Sequence, residues 1–393
     1  MPLTWRSSLT FSARLSNVTE ILFAYRCAVP LSDLQAAKQE AKVLEEEAYC
    51  KARSLEAYNE LCKQYVHSFR AIAPQDSPSA PNHEIPVEAE GSRPAGEQIG
   101  KYTNATYLAN GLSSVVYKAW SPDAQLVALK IVNISQKKPP HDSEREARIL
   151  SVVAGPNIIP LLETVHEPGS RFILVFPFMN HDMGQLLQQR ALSPQASRRL
   201  LRDMFTALAH LHSLGIIHRD IKPSNMLSAG PDGPNYLADF GIAWSPTDWA
   251  SEAREKKITD VGTTCYRPPE LLFGNESYTC AIDLWAAGCM VAEAARLTDQ
   301  TLFDAGELGS ELALIQSIFL NLGTPTLDVW PEAISFRDWG KMVFYRFPRK
   351  SWQDILPEVS ADARDLVSKL VCYESGDRLS AAEALKHPFL QPC

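Results

Sequence analysis

The chain has 393 residues, 45% hydrophobic and 21% charged, with a formal net charge of −8. That composition excludes wholesale disorder, which needs low hydrophobicity with high net charge. The acidic balance, without a dense Lys/Arg block, argues against nucleic acid as a partner, because such binding relies on phosphate neutralisation. No apolar run reaches the about 18 residues of a spanning helix, so no membrane partner is expected. Eight cysteines, none in Cys-x-x-Cys, predict neither a zinc site nor a disulfide framework, and a reducing compartment is the default.

Residues 1–30 mix Trp5, Phe11, Leu15, Ile21, Leu22 and Phe23 with Arg6 and Arg14 among serines. They read as a docking segment or amphipathic helix in preference to a transit peptide. Residues 31–72 read as one long helix, because Leu34, Ala37, Ala41, Leu44, Ala48, Leu55, Tyr58, Cys62, Tyr65, Phe69 and Ile72 recur at helical steps. Ser32 and Gln35 suit a capping box, and Glu45-Glu46-Glu47 is expected to be a solvated face. The first 72 residues thus form an N-terminal helical extension. Residues 73–99 carry five prolines without apolar periodicity and are expected to be a flexible linker. From about Tyr102, β-type runs follow: Val115–Tyr117, Leu126–Val132 and Phe172–Phe176. Beyond Gln185 helical patterns dominate, which predicts an α+β domain in two lobes.

The chemistry concentrates in His218-Arg219-Asp220-Ile221-Lys222-Pro223-Ser224-Asn225 and, fourteen residues on, Asp239-Phe240-Gly241. With Val127-Ala128-Leu129-Lys130, Glu146, Pro268-Pro269-Glu270, Asp283 and Arg378 in the same order, residues 102–390 resemble the protein kinase family. The resemblance implies a bilobal kinase domain over 100–393, ATP and Mg²⁺ as cofactors, and a protein substrate. Asp220 would orient the acceptor hydroxyl and take its proton, and Lys222 would meet the γ-phosphate. Asn225 and Asp239 would supply oxygens to the metal. Lys130 would hold the α- and β-phosphates and pair with Glu146, with Glu144 a nearby rival. Glu270 would pair with Arg378, and Asp283 would brace the catalytic loop. Leu108, Val116, Ala128 and Leu227 would wall the adenine pocket, with Phe176 at its back. The Phe178 backbone and the Pro177 carbonyl would bind adenine, and Asp182 would reach the ribose.

The phosphate-covering loop departs from the pattern. Between Leu108 and Val116 the chain reads Ala109-Asn110-Gly111-Leu112-Ser113-Ser114-Val115, with one glycine where three are expected. Glycine permits close backbone approach to phosphate, so a weaker grip on ATP is expected with chemistry retained.

Arg267-Pro268-Pro269-Glu270, Leu322-Gly323-Thr324-Pro325, Val329-Trp330-Pro331 and His387-Pro388-Phe389-Leu390 resemble the cyclin-dependent branch. The Lys222-Pro223 pair and Thr263 favour serine or threonine as acceptor. Four ordinary features are missing. Pro139-Pro140-His141-Asp142-Ser143-Glu144-Arg145-Glu146 replaces the cyclin-binding motif, and the inhibitory positions are Leu112 and Ser113, without tyrosine. The activating threonine falls on Ile258, with Thr259 adjacent, and Trp244 replaces an arginine. These losses agree with one another, because a loop phosphate works by recruiting arginines. They predict an enzyme active without cyclin or loop phosphate, its loop ordered by Trp244, Trp249 and Ile258. Such a chain resembles the single-subunit fungal kinases that activate cyclin-dependent kinases, in nucleus and cytoplasm. The alternatives are a proline-directed kinase acting on the RNA polymerase II tail, and a nucleotide-binding scaffold without activity.

Overall fold

The computed structural model describes residues 21, 24–25, 28, 34–52, 54–72, 96–110, 114–134, 139–306 and 309–391. Two compact units divide between Ser92 and Arg93. In the first, the expected single helix is two: α1 (Leu34–Lys51) and α2 (Leu55–Ile72). The break has a local cause. The Ser54 hydroxyl accepts the Ala57 N–H at 3.1 Å, so a residue that prefers capping starts a new helix. Ala41, Ala48, Tyr58, Cys62 and Val66 then share one buried cluster with Ile21 and Ala24. Glu45 is buried too, accepting the Tyr58 hydroxyl at 2.6 Å, which corrects the solvated reading of Glu45. Ser32, and with it the expected capping box, lies outside the described residues.

The second unit begins with an antiparallel sheet in the order β1-β2-β3-β4-β6-β5. Its strands are β1 (Glu97–Ile99), β2 (Tyr102–Asn110), β3 (Ser114–Trp120), β4 (Leu126–Asn133), β5 (Glu163–Glu167) and β6 (Arg171–Pro177). β1 takes the end of the expected linker into the sheet; residues 73–95 lie outside the described set. Side chains alternate across β4. Val127, Leu129 and Ile131 join Ile99, Tyr102, Ala105, Ala119, Ile173 and Val175 in a buried cluster. Ala128 and Lys130 therefore share the opposite face. Register adds Val116 opposite Lys130 and Phe176 opposite Ala128, so four expected site residues line one surface. Helix α3 (Ser143–Val152), capped by the Asp142 carboxylate, packs Ala147 in a cluster with Val132, Phe172 and Leu174.

The helical lobe starts with the short strand β7 (His181–Asp182), then α4 (Met183–Gln188) and α5 (Pro194–Ser213). In α5, Leu200, Leu201, Met204, Phe205, Leu208 and Leu211 form the buried stripe expected of an amphipathic helix. β8 (Met226–Ser228) and β9 (Asn235–Leu237) frame the loops that carry the chemistry, and β7 pairs with β8. Helix α6 (Pro269–Leu272) precedes α7 (Ala281–Arg296), which is buried along nearly all its length. α7 packs on α10, so labelled after α8 (Glu311–Leu322) and α9 (Trp352–Ile355), at Ala361–Leu370. A Cβ at Gly288 would stand 2.6 Å from Val371, so glycine sets how closely the chain passes α7. Among the described residues, no helix is long and apolar enough to cross a membrane.

Candidate active site

Lys130 lies at the centre of the site. Its Nζ donates to both oxygens of Glu146 at 2.8 Å and to Asp239 Oδ1 at 2.7 Å. Glu146, not Glu144, is the partner. Burial works against the Lys130 charge, but the Asp239 and Glu146 carboxylates outweigh it and hold the ammonium above its ordinary value. The Lys130 charge in turn holds Asp239 well below the usual carboxylate range. Phe240 is buried and meets His218 edge to face, with centroids 4.8 Å apart. The N-cap of α3 joins this segment directly, Asp142 N–H donating to the Gly241 carbonyl at 3.0 Å.

The loop carrying Asp220 is fixed from below. The Asp283 carboxylate accepts the backbone N–H groups of His218 and Arg219, both at 2.9 Å. Arg219 adopts φ +73° and Asp239 φ +65°, left-handed conformations that cost about 1–3 kcal/mol each and persist only where surroundings enforce them. Asp220 Oδ1 accepts the Thr263 N–H and hydroxyl, each at 2.9 Å. Its Oδ2 accepts Lys222 Nζ at 2.7 Å and Asn225 Nδ2 at 3.2 Å. Lys222 also donates to the Thr263 hydroxyl at 3.0 Å. Asp220, Lys222, Asn225 and Thr263 thus form one hydrogen-bonded group.

The residues fit a divalent metal. Asn225 Nδ2 also donates to the Asp220 carbonyl at 2.8 Å, which leaves the amide oxygen as acceptor. With the Asp239 carboxylate it makes a hard-oxygen pair, the donor type Mg²⁺ takes while keeping water and phosphate oxygens.

The adenine side needs one correction. The Phe178 N–H donates to the Leu126 carbonyl at 3.2 Å, extending the strand pairing beyond Val127 and Pro177. It is therefore engaged by the sheet, and the Phe178 ring lies under Lys118 Nζ at 4.5 Å. Sequence reading missed Met179, whose N–H makes no bond among the described residues and which stands next in the chain. Val116, Ala128, Phe176 and Leu227 are part-exposed and Leu108 is exposed, as walls of an open cleft would be. Asp182 caps α4, accepting the Gln185 N–H at 2.9 Å, and burial pushes its carboxyl up. Ala109 pairs with Val116 and Asn110 with Val115, and Ser114 opens β3. Gly111, Leu112 and Ser113 lie outside the described residues.

The segment after Asp239 is held by more than its expected apolar residues. Trp244 and Ile258 pack with Ile217, Val261 and Tyr278, as expected. Trp249 does not: it is 82% exposed, with the Arg148 guanidinium 4.7 Å from its ring centre. Three charged groups were missed. Asp248 takes a forked pair from Arg148 at 2.7 and 3.0 Å. Glu252 takes one from Arg219 at 3.1 and 3.2 Å. Buried Lys257 donates to the Tyr278 carbonyl at 2.9 Å. None belongs to a motif, and only the folded loop brings them to their partners.

Gly262, at φ +77°, shows why glycine stands there: an added Cβ would lie 2.6 Å from the Arg219 carbonyl. Gly262→Val should push this segment off the catalytic loop and lower kcat by roughly 10–100-fold, since small misplacements are costly in catalysis. Steady-state kinetics check this; an unchanged kcat would contradict the packing.

Comparison with known proteins agrees with this geometry. The protein kinase domain model matches residues 102–390. The serine/threonine-protein kinase csk1 of Schizosaccharomyces pombe is 34% identical over 286 residues, 71% of this chain and 92% of that protein. Cyclin-dependent kinase D-1 of Arabidopsis thaliana is 36% identical over 295 residues, 74% of this chain and 71% of the relative. Cell division control protein 2 homolog 3 of Trypanosoma brucei brucei is 33% identical over 302 residues, 75% and 93% of the two chains.

Proposed function

This chain belongs to the protein kinase family, on its cyclin-dependent branch, as an ATP-dependent serine/threonine kinase, and from that premise we propose that it phosphorylates the activation-loop threonine of cyclin-dependent kinases without a cyclin of its own. The observation that carries this reading is the state of α3. Its Glu146 is already paired with Lys130, and Arg148 is already forked onto Asp248 of the segment after Asp239-Phe240-Gly241. A helix anchored by its own chain does not need a partner subunit to seat it.

In the reaction, Asp220 orients the acceptor hydroxyl and receives its proton as the oxygen bonds to the γ-phosphorus, whose bond to the β–γ bridging oxygen breaks to release ADP. Lys222 and Lys130 offset charge on the phosphates. Asn225 and Asp239 would hold Mg²⁺, which would supply positive charge to offset that of the phosphates. Thr263 keeps Asp220 and Lys222 in register. Val116, Ala128, Leu108, Leu227 and Phe176 enclose the adenine, with the Met179 N–H and the Pro177 carbonyl as its backbone partners. Asp182 serves the ribose. These filled positions weigh against the scaffold alternative.

One observation favours a second reading, a kinase selecting serine or threonine before proline. The Gly262 carbonyl accepts Arg267 Nε at 2.8 Å, beside Thr263. A carbonyl so engaged is a poor acceptor for the next amide of a substrate, and proline has no amide N–H to satisfy. A Mg-ATP assay on a cyclin-dependent kinase, a polymerase-tail peptide and a generic basic protein separates the readings. The expected result is phosphate on the loop threonine of the first, absent when that threonine is alanine. Preference for the tail peptide would overturn the first reading in favour of the second.

A further inference from the structure

We infer that Glu252 is the built-in counter-charge that positions this active site, binding Arg219 beside Asp220 and facing Arg145 on the helix of Glu146, so that the loop needs no added phosphate. The inference rests on the reading that the chain is active without loop phosphorylation, and it names the group responsible.

Two arginines meet here with little access to water: Arg219 is 0% exposed and Arg145 4%. Like charges this close repel, and a guanidinium cannot shed its proton, so an anion must lie between them. Glu252 is that anion. One oxygen accepts Arg219 Nη1 at 3.1 Å, the other accepts Nη2 at 3.2 Å and stands 4.0 Å from Arg145 Nη1. Burial works against its charge, but Arg219 outweighs that and holds the carboxyl below its ordinary value. The hydrogen bonds of the Arg145 guanidinium go to backbone, the Pro140 carbonyl at 2.5 Å and the Ala250 carbonyl at 3.4 Å, so Glu252 acts on it through charge.

The same residue is tied at its main chain. The Glu252 carbonyl accepts Trp244 Nε1 at 2.9 Å. Trp244 in turn exchanges backbone hydrogen bonds with Ile217 at 2.8 and 2.9 Å, two residues before Arg219. A closed path therefore runs from Arg219 through Glu252 and Trp244 back to the catalytic loop. Arg145 sits next to Glu146, so the carboxylate also bears on the Lys130 pair. Position 258 is an isoleucine packed among Trp244, Val261 and Tyr278, with no hydroxyl to modify. The charge that modification would add is supplied by the sequence. Glu252 is a positioning residue, since it touches no reacting atom.

The test uses the full chain, phosphatase-treated and checked by intact mass, as parent, Glu252→Gln and Glu252→Asp. Glu252→Gln keeps the shape and removes the charge. Its kcat should fall about 10–100-fold, with KM for ATP moved less than about threefold and the melting temperature nearly constant. Glu252→Asp should recover to within about fivefold of the parent. A Glu252→Gln kcat within about twofold of the parent would overturn the inference, as would equal loss in both variants. If Glu252→Gln does not fold, Arg145→Gln removes the second partner while Arg219 keeps Glu252. A loss of about threefold or more in kcat is then expected, and an unchanged kcat would overturn the inference. A phosphatase-treated parent that is inactive while the untreated chain is active would sink the underlying reading separately.

Discussion

Asp220→Asn should lower kcat by about 10²–10⁴-fold while leaving KM for ATP within a few-fold of the parent, the range expected when a proton acceptor is removed. The asymmetry follows from where Asp220 is held. Its partners are Thr263, Lys222 and Asn225, on the side of the acceptor hydroxyl. Lys130, Glu146 and Asp239 form a separate charge group and are untouched. Asparagine fills the same volume, and its oxygen can still accept from Thr263. Its amide nitrogen then faces Lys222 Nζ and Asn225 Nδ2, donors both, so Lys222 also loses its anchor. Single-turnover and steady-state rates on a purified sample with parent-like thermal melting measure this. A kcat within tenfold of the parent would remove Asp220 from the proposed proton transfer.

Arg378→Ala should be the most destabilising single change in the helical lobe, by about 3–5 kcal/mol, as for buried pairs left with one partner. Arg378 donates to both Glu270 oxygens, at 2.5 and 2.8 Å, and its side chain is 0% exposed. It also reaches the carbonyls of Ala281 at 2.9 Å and Cys372 at 3.1 Å, and lies 5.1 Å from the Trp285 ring centre. Burial opposes the Arg378 charge, yet Glu270 outweighs it and raises the guanidinium above its ordinary value. Alanine would strand the Glu270 carboxylate, which sits directly after Pro268-Pro269 and so ties the substrate-side segment to α7. Lysine cannot fork onto a carboxylate and should recover less than half of the loss. At about 2–4 °C per kcal/mol for a chain of this class, the melting temperature should drop by roughly 6 °C or more. Thermal or urea unfolding of the parent, Arg378→Ala and Arg378→Lys checks this; equal midpoints for all three would contradict the role given to the pair.

What could be read from the sequence was what lies close along it. Asp220, Lys222 and Asn225 sit within six residues, a contiguous motif by which the resemblance to protein kinases assigned their roles. The strands around Lys130 were legible because alternation along β4 assigns each side chain a face. Failures came where contacts are made across distance or decided by a single bond. The 31–72 stripe continues unbroken in helical register, and only the capping bond of Ser54 ends one helix and begins another. Glu45 looked solvated because it sits in an acidic run, whereas its partner Tyr58 is thirteen residues away on the returning helix. Phe178 and Met179 differ by one residue, and which N–H the sheet engages depends on register at the strand end. Glu252 and Asp248 lie in a loop with no period, so nothing in sequence marks their arginines. Trp249 was expected to pack, yet it stays exposed, with only the Arg148 guanidinium near its ring.

The central claim is that one chain, with no second subunit and no phosphate on its loop, seats α3 and aligns Asp220 by its own contacts. The direct measurement is transfer of the γ-phosphate of Mg-ATP to a protein substrate by the purified, phosphatase-treated full chain, with and without added cyclin. The account predicts turnover at the same rate in both, equal to that of the untreated protein. Activity that appears only with cyclin, or only before phosphatase treatment, would contradict it.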